Sequence, residues 1–251
     1  MTRQSEDTVA KQGPSPAEDL YTGRYYADKH ADWHVDGKPK ADDLEASFVE
    51  WVSRSDRASL RVADVGCGTG SVLSELIDRA QREKPDIRLE AIGFDISPHA
   101  IEIGRQRFAN IDLRNQHFSA DTGHYDMVML VDVLEHLENP WAVLRDTRSA
   151  AKSLLVRQPL LGNFSTFRHD NYRAQRIEWG HIGHFSYRQF LDMADACGWT
   201  PDDAHLVAPW RLFPNQKQGK NPGWIKPWVH RLSPVYASFF ISGYYLVGTF
   251  R

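Results

Sequence analysis

The sequence is poor in cysteine and has no excess of basic charge. Its 251 residues include only two cysteines, Cys67 and Cys197, which cannot build a disulfide framework. A reduced, cytoplasmic compartment is therefore the expectation. The formal net charge of −3 excludes a general basic field that would attract nucleic acid, although a local basic patch stays open.

Long apolar runs are also missing. No run approaches the roughly 20 residues that a membrane-spanning helix needs. Residues 1–19 lack the apolar centre of a signal peptide, and their Ser, Pro, Gln and charge content predicts a disordered leader. We therefore expect no membrane partner.

What is present fits an ordinary globular protein. Hydrophobic residues make up 41% and charged residues 25% of the chain, and the length suits one large domain with an appendage. We expect a leader at 1–19, a helical cap at 20–56 and one domain at 57–251. Irregular composition near 159–185 and 213–238 predicts two insertions in that domain.

From residue 61 the pattern alternates between apolar strands and periodic helices. The predicted strands are 61–65, 88–95, a segment near 111–118, 125–131, 153–158, 205–213 and 239–250. The predicted helices are 42–53, 71–84, 97–109, 139–150 and 186–199. This alternation indicates βαβ units and a parallel sheet.

The first strand runs into a glycine-rich stretch, VADVGCGTGS at 62–71. Glycine tolerates positive φ and lets a ligand approach the backbone closely. Gly66, Gly68 and Gly70 give the spacing G-x-G-x-G, unlike the G-x-G-x-x-G of dinucleotide sites. Asp64, inside the strand end, suits a ligand with a positive amino group. The alternative is a tight turn that binds nothing.

A second acidic residue, Asp95, ends the second predicted strand. A carboxylate there can accept hydrogen bonds from both hydroxyls of a ribose. The alternative is that Asp95 only complements the positive end of the next helix. Ser97, however, already supplies the N-cap of that helix.

Four motifs in order carry a resemblance to a known family. They are DVGCGTGS, GFDIS, YDMVMLVDVLEHLENP and HIGHFSYRQFLDMADACGW. Together they resemble the class I S-adenosylmethionine-dependent methyltransferases over about residues 60–200, with the closing strands in addition. The resemblance implies an α/β fold with a Rossmann-like, seven-stranded, mostly parallel sheet. Helices cover both faces, and the sheet ends in an antiparallel C-terminal hairpin.

The resemblance also implies a binding site for S-adenosyl-L-methionine. Asp64 and the glycine stretch, including Cys67, would surround the methionine end. Asp95 would hold the ribose and Ile96 would lie against the adenine. The remaining implied contacts are Ser119 and Ala120 beside the adenine, Asp132 facing the sulfonium or the acceptor, and Tyr26 in a segment that closes the pocket.

Methyl transfer from a sulfonium mainly requires alignment and exclusion of water. An oxygen acceptor also needs a base or a metal, whereas a neutral amine does not. The candidate catalytic residues are Glu135, His136 and His181, with His184 beside them. Ubiquinone-pathway O-methyltransferases and small-RNA 2′-O-methyltransferases are similar here, with E-x-x-E-H. In the RNA enzymes a later His completes a metal site. This chain has Asp132 in place of the first Glu of the E-x-x-E-H motif, and we assign no metal to it.

Other segments leave two interpretations open. The aromatic start, with Tyr21, Tyr25 and Trp33, caps the pocket or packs in the core. Three tryptophans in or just before the second insertion line an apolar acceptor pocket or simply pack. They are Trp210, Trp224 and Trp228. The basic residues there bind an anionic acceptor or are solvated. They are Lys217, Lys220, Lys226 and Arg231.

The expected function is methyl transfer to the oxygen or nitrogen of a small molecule, by in-line displacement in a closed pocket. One alternative is an RNA 2′-O-methyltransferase with a metal at Asp132, Glu135, His136 and His181. Others are a non-catalytic adenosylmethionine-binding protein and a nicotinamide-dependent dehydrogenase, which the glycine spacing disfavours. The oligomeric state is left open.

Overall fold

Seven strands form one sheet in the computed structural model, which describes residues 37–208 and 225–251. The strands are β1 Ser59–Val65, β2 Arg88–Asp95, β3 Asp112–Asn115, β4 Tyr125–Val131, β5 Ala151–Pro159, β6 Pro201–Val207 and β7 Tyr245–Phe250. Their order is β3-β2-β1-β4-β5-β7-β6. Neighbours from β3 to β5 are parallel, and β7 is antiparallel to both β5 and β6. The predicted fold class is confirmed.

Helices cover both faces of this sheet. They are α1 Gly37–Ser53, α2 Ser71–Glu83, α3 Pro98–Arg107, α4 Pro140–Ala150, α5 Phe164–His169, α6 Tyr172–Trp179, α7 Tyr187–Ala196, α8 Ile225–Leu232 and α9 Pro234–Phe240. Two 3₁₀ turns lie at Ala120–Thr122 and Leu134–His136. None of the described helices is both long and apolar enough to cross a membrane.

The strand order creates a crevice where the chain changes direction across the sheet. β1 pairs with β2 on one side and with β4 on the other, so connections leave its carboxyl end in opposite directions. Ligands of open α/β sheets bind at such a switch point. The glycine stretch, Asp95 and Asp132 all follow strands at this edge.

Local capping explains where several helices begin. The Ser97 side chain accepts a hydrogen bond from the Ala100 amide, with Pro98 at the first position of α3. Asn139 caps α4 in the same way, again before a proline. These side chains satisfy amides that have no partner within the helix. The sequence therefore located both starts correctly.

Two predictions about the closing strands were wrong in their bounds. Residues 239–250 do not form one strand, because α9 extends to Phe240 and β7 begins at Tyr245. Ser233 caps α9 by accepting from the Tyr236 amide. The prediction overlooked this cap because the aromatic residues that follow favour a strand. The strand expected at 205–213 begins earlier, since β6 spans Pro201–Val207, and residues 209–213 lie outside the described ranges.

The segment 159–185, expected to be irregular, contains α5 and α6. The leader, the aromatic start with Tyr21, Tyr25, Tyr26 and Trp33, and the residues Trp210, Lys217, Lys220 and Trp224 lie outside the described ranges. The domain boundaries stay a prediction. Within the described part, α1 packs its apolar side into the core with β1, α2 and β4 through Ala41, Leu44, Phe48 and Val52.

Candidate active site

The glycine stretch makes a turn that only glycine accommodates without strain. Gly66, Gly68 and Gly70 have φ of 70°, 56° and 81°. The amides of Gly66 and Cys67 both donate to the Phe94 carbonyl, at 2.8 and 3.0 Å. A side chain at Gly66 would come within 2.9 Å of the Val133 side chain. The turn therefore lies flat across the carboxyl ends of β1 and β2.

Asp64 is buried beneath this turn with one oxygen lacking a partner. Asp64 is 2% exposed, and its Oδ1 has no hydrogen-bond partner among the described residues. Burial, assisted by the nearby Asp95 charge, raises the pKa of Asp64 to about 8. A buried acceptor of this kind is costly unless a ligand satisfies it. A ligand ammonium group would do so.

Asp95 connects the glycine turn to the start of α3. Its Oδ2 accepts from the Gly68 amide at 2.7 Å and its Oδ1 from the Ser97 amide at 2.8 Å. Both interpretations of Asp95 thus keep their support, because a carboxylate oxygen has a second lone pair for a ribose hydroxyl. The link to Gly68 was not expected from the sequence.

The residues expected near the adenine are ordered by local contacts. Ser119 precedes the 3₁₀ turn, and its carbonyl accepts from the Thr122 amide at 3.0 Å and the Thr122 hydroxyl at 2.7 Å. Ile96 follows Asp95 directly, and Ala120 opens the turn. The Cys67 thiol is buried against the Gly68 carbonyl, and burial raises its pKa well above the usual value. The Cys67 thiol is therefore neutral and has a packing role.

Asp132 directly follows β4, in a strained backbone conformation and within an ion network. Its φ is 56°, a value that residues other than glycine rarely adopt. Such strained backbone conformations are found most often at functional sites. Its Oδ2 contacts the Arg157 guanidinium and lies 3.1 Å from Lys40 Nζ. Burial opposes the charge of Asp132, but Arg157 and Lys40 together lower its pKa. Asp132 therefore stays ionised.

The network continues into α1, a connection that the sequence analysis missed. Arg157 Nε lies 2.9 Å from Asp43 Oδ2, and the guanidinium stacks on Tyr245, 3.8 Å from the ring centroid. Lys40 and Asp43 both belong to α1. Arg157 directly follows the apolar run 154–156 of β5, and a cation at that position was the available signal. Thus α1 is fixed to the ends of β4 and β5.

Glu135, His136 and His181 come together as the sequence predicted. One side-chain ligand atom from each lies within 4.8 Å of the other two. Glu135 Oε2 accepts from Gln158 Nε2 at 3.1 Å, while Oε1 is buried without a partner among the described residues. Glu135 Oε1 and His136 Nε2 are 3.7 Å apart. The cluster has more acceptor atoms than donors.

The two histidines of the cluster are neutral near pH 7. Burial lowers the pKa of His136 to about 4 and that of His181 to about 3. Burial, together with the Asp132 charge, raises the pKa of Glu135 to about 8. His136 Nδ1 donates to the Gly180 carbonyl at 3.2 Å, which directs Nε2 to the Glu135 side.

Backbone hydrogen bonds hold the 180–184 segment over the 3₁₀ turn. The amides of Ile182 and Gly183 both donate to the Glu135 carbonyl at 2.8 Å. His181 Nδ1 and His184 Nε2 are buried without partners among the described residues. The His184 ring stays in contact with Tyr172, at 4.8 Å between centroids. His184 therefore lies near the cluster but does not belong to it.

Comparison with known proteins identifies the family. A family model for a methyltransferase domain matches residues 40–204. The chain belongs to the class I S-adenosylmethionine-dependent methyltransferases. This methyltransferase is 31% identical over 204 residues to the ubiquinone biosynthesis O-methyltransferase of Xanthomonas oryzae, covering 71% of this chain and 80% of that one. The enzyme of the same name from Cereibacter sphaeroides is 29% identical over 171 residues, 64% and 63% of the chains.

A solved structure shares the fold of this methyltransferase. Magnesium protoporphyrin IX methyltransferase from Synechocystis, with bound S-adenosylhomocysteine, superposes with a TM-score of 0.54 at 17% identity. The match covers 76% of this chain and 91% of that one. S-Adenosyl-L-methionine is the cofactor. The glycine turn and the unsatisfied Asp64 oxygen fit its methionine end, although the individual contact residues stay predictions.

Asp64→Asn is expected to raise the thermal stability of the ligand-free methyltransferase at pH 8. The folded-state pKa of about 8 exceeds the ordinary value, so the buried ionised Asp64 side chain destabilises the fold at high pH. The folded protein has its full stability near pH 4, where Asp64 is protonated, and loses part of it as the pH rises to 8. The melting-temperature gain should therefore shrink toward zero near pH 4, while S-adenosylhomocysteine affinity falls.

Asp112→Asn is the matched control, since Asp112 is exposed at the amino end of β3, away from the carboxyl ends of the strands where Asp64 lies. It should change neither the pH dependence of melting nor the affinity. Equal melting curves for Asp64→Asn and the wild type at pH 8 would contradict the raised pKa.

Proposed function

We propose that this methyltransferase transfers the methyl group to a hydroxyl oxygen of a small molecule. The observation that carries the proposal is the Glu135, His136 and His181 cluster beside the carboxyl end of β4. Its histidines are neutral near pH 7 and can accept a proton. An amine acceptor would require no such group.

The protein groups have distinct tasks in this reaction. The glycine turn, Asp64 and Asp95 bind the cofactor, which supplies an activated methyl group. His136 would take the proton of the acceptor hydroxyl as the oxygen–methyl bond forms and the methyl–sulfur bond breaks, which would leave S-adenosylhomocysteine, and Glu135 lies beside the imidazole. The names of the curated relatives, ubiquinone biosynthesis O-methyltransferases, support an oxygen acceptor.

The direct test uses methyl-labelled S-adenosylmethionine with a panel of simple phenols, catechols and primary amines. Label should appear on a hydroxyl, and the product should be stable to mild acid as an ether. Transfer to amines alone would overturn the oxygen assignment. Label on none of the panel but on an RNA oligonucleotide would replace the small-molecule proposal with the RNA alternative.

A second candidate feature of the same site is a divalent cation. Glu135 Oε1 and His181 Nδ1 are buried ligand atoms without partners in the described part of the chain. One carboxylate and two imidazoles form a ligand set suited to Zn²⁺, Mn²⁺ or Fe²⁺. Such a cation, when bound, acidifies a coordinated hydroxyl. Protein residues would then only position the acceptor.

Titration of Mn²⁺ or Zn²⁺ into metal-stripped protein tests this candidate. One equivalent should bind with micromolar affinity or better, and His181→Ala should weaken binding at least about tenfold. His184→Ala is the matched control and should leave binding unchanged. Full methyl transfer in the presence of EDTA, with no measurable metal binding, would leave His136 as the proton acceptor.

A further inference from the structure

Exposed large apolar side chains belong to the C-terminal half of the described chain. Within the described ranges, every large hydrophobic side chain that is exposed lies between residues 141 and 240. None belongs to residues 37–140, which carry the cofactor-binding half of the sheet. Scattered exposed apolar residues are ordinary, but a concentration of this kind marks an interaction surface.

Helix α8 directs its apolar residues away from the core. Ile225, Trp228 and Leu232 recur at helical spacing and are 56%, 57% and 66% exposed. On the opposite side Val229 packs against the core, and His230 Nδ1 pairs with the Tyr244 hydroxyl at 3.0 Å. The helix is therefore anchored to the sheet with its more apolar side outward.

Helix α9 extends the same pattern. Ala237 is buried, whereas Tyr236, Phe239 and Phe240 are exposed. The Phe240 ring lies 6.1 Å from that of Phe164 at the start of α5, which is also exposed. We call this surface the aromatic face. It comprises Phe164, Trp228, Leu232, Tyr236, Phe239 and Phe240.

The surrounding sequence is basic in a protein that is acidic overall. Residues 204–251 contain no Asp or Glu and six Lys or Arg, although the whole chain has a net charge of −3. Two of these cations, Lys226 and Arg231, flank Trp228 on α8. On its α8 side the apolar surface therefore carries cations, which match an anionic partner with an apolar interior, whereas Asp192 and Asp195 line the groove beside Tyr236 on α9.

We propose that the aromatic face docks peripherally on an anionic lipid bilayer. Tryptophan and tyrosine partition to the bilayer interface, and short amphipathic helices lie there with their apolar side toward the acyl chains. Lys226 and Arg231 would meet the headgroups, since basic residues near an anionic surface gain binding energy. Peripheral docking requires no spanning helix. It departs from the sequence expectation that no membrane is involved.

The docking surface is connected to the active site through a short stretch of chain. α5 begins at Phe164 in the aromatic face, α6 ends at Trp179, and the carbonyl of the next residue, Gly180, accepts from His136. The two short helices α5 and α6 therefore link the aromatic face to the 180–184 segment along the chain. The docking proposal itself does not depend on the proposed acceptor, because it is tested without turnover.

Co-sedimentation of the full chain with large unilamellar vesicles tests the proposal. At about 100 mM salt, where the Debye length is roughly 10 Å, the protein should bind phosphatidylcholine vesicles that contain phosphatidylglycerol. It should bind pure phosphatidylcholine at least about tenfold more weakly. Lys226→Glu with Arg231→Glu, and separately Trp228→Ser with Leu232→Ser, should each reduce the partition coefficient about tenfold or more.

Arg82→Glu with Arg107→Glu provides a charge-matched control on α2 and α3, where both side chains are exposed. This control should bind vesicles within about threefold of the wild type. S-Adenosylhomocysteine affinity establishes that each variant is folded, and it also separates this test from that of the methyltransferase site. Absence of wild-type binding to anionic vesicles overturns the proposal. So does a dimer, measured by light scattering, that Trp228→Ser with Leu232→Ser dissociates while no vesicles bind.

Discussion

Replacing Asp95 by alanine is expected to weaken S-adenosylhomocysteine binding by about a hundredfold or more. The variant loses a charged acceptor for the ribose hydroxyls, and each such hydrogen bond contributes about 1.5–3 kcal/mol. It also removes the acceptor of the Gly68 and Ser97 amides, which donate to the two Asp95 oxygens in the wild type. A hundredfold loss corresponds to about 2.7 kcal/mol.

Calorimetric titration of S-adenosylhomocysteine measures this effect directly. Asp112→Ala is the control, because it removes a carboxylate from the opposite end of a neighbouring strand. Its affinity should match the wild type. If folded Asp95→Ala protein bound the ligand within threefold of the wild type, Asp95 would serve only the glycine turn and α3.

His136→Asn is expected to lower kcat by at least about a hundredfold with little change in S-adenosylhomocysteine affinity. General-base catalysis typically contributes about 10²–10⁴-fold, and asparagine lacks a nitrogen that accepts a proton. The asparagine amide can still donate to the Gly180 carbonyl that His136 Nδ1 contacts. The substitution therefore removes the basic nitrogen while retaining the contact that holds the 180–184 segment.

Steady-state kinetics with the acceptor found in the panel assay provides the measurement. His184→Asn is the matched control, since this histidine contacts Tyr172 rather than the Glu135 side chain. It should retain activity within about tenfold. A His136→Asn variant with wild-type kcat would exclude His136 from proton transfer.

The fold was largely predictable because each element carries a local signal. β2 and β4 have the predicted bounds, since both are short apolar runs that end at polar residues. Helix starts at Ser97 and Asn139 followed from side chains that can cap an amide. The 239–250 error arose because aromatic and β-branched residues favour strands, whereas Phe239 and Phe240 end a helix that begins after the N-cap Ser233.

The candidate site was predictable only where its residues follow strands along the chain. Glu135 and His136 lie in one 3₁₀ turn, and His181 belongs to a motif rich in histidine. The contacts of Lys40 and Asp43 with the ends of β4 and β5 were missed, because no local pattern records which charges meet across the fold. Only Arg157, which follows the apolar run 154–156, indicated a buried partner.

The contacts of α1 also constrain the order in which the chain can fold during translation. Trp51 donates to Ser153, which is 102 residues later, and Ser47 donates to Asp203, which is 156 residues later. The apolar side of α1 can pack on β1 and α2 soon after it leaves the ribosome, but these two polar contacts form only after β5 and β6 have been synthesised. α1 therefore completes its contacts late in synthesis, and a nascent chain in such an incomplete state is exposed to aggregation.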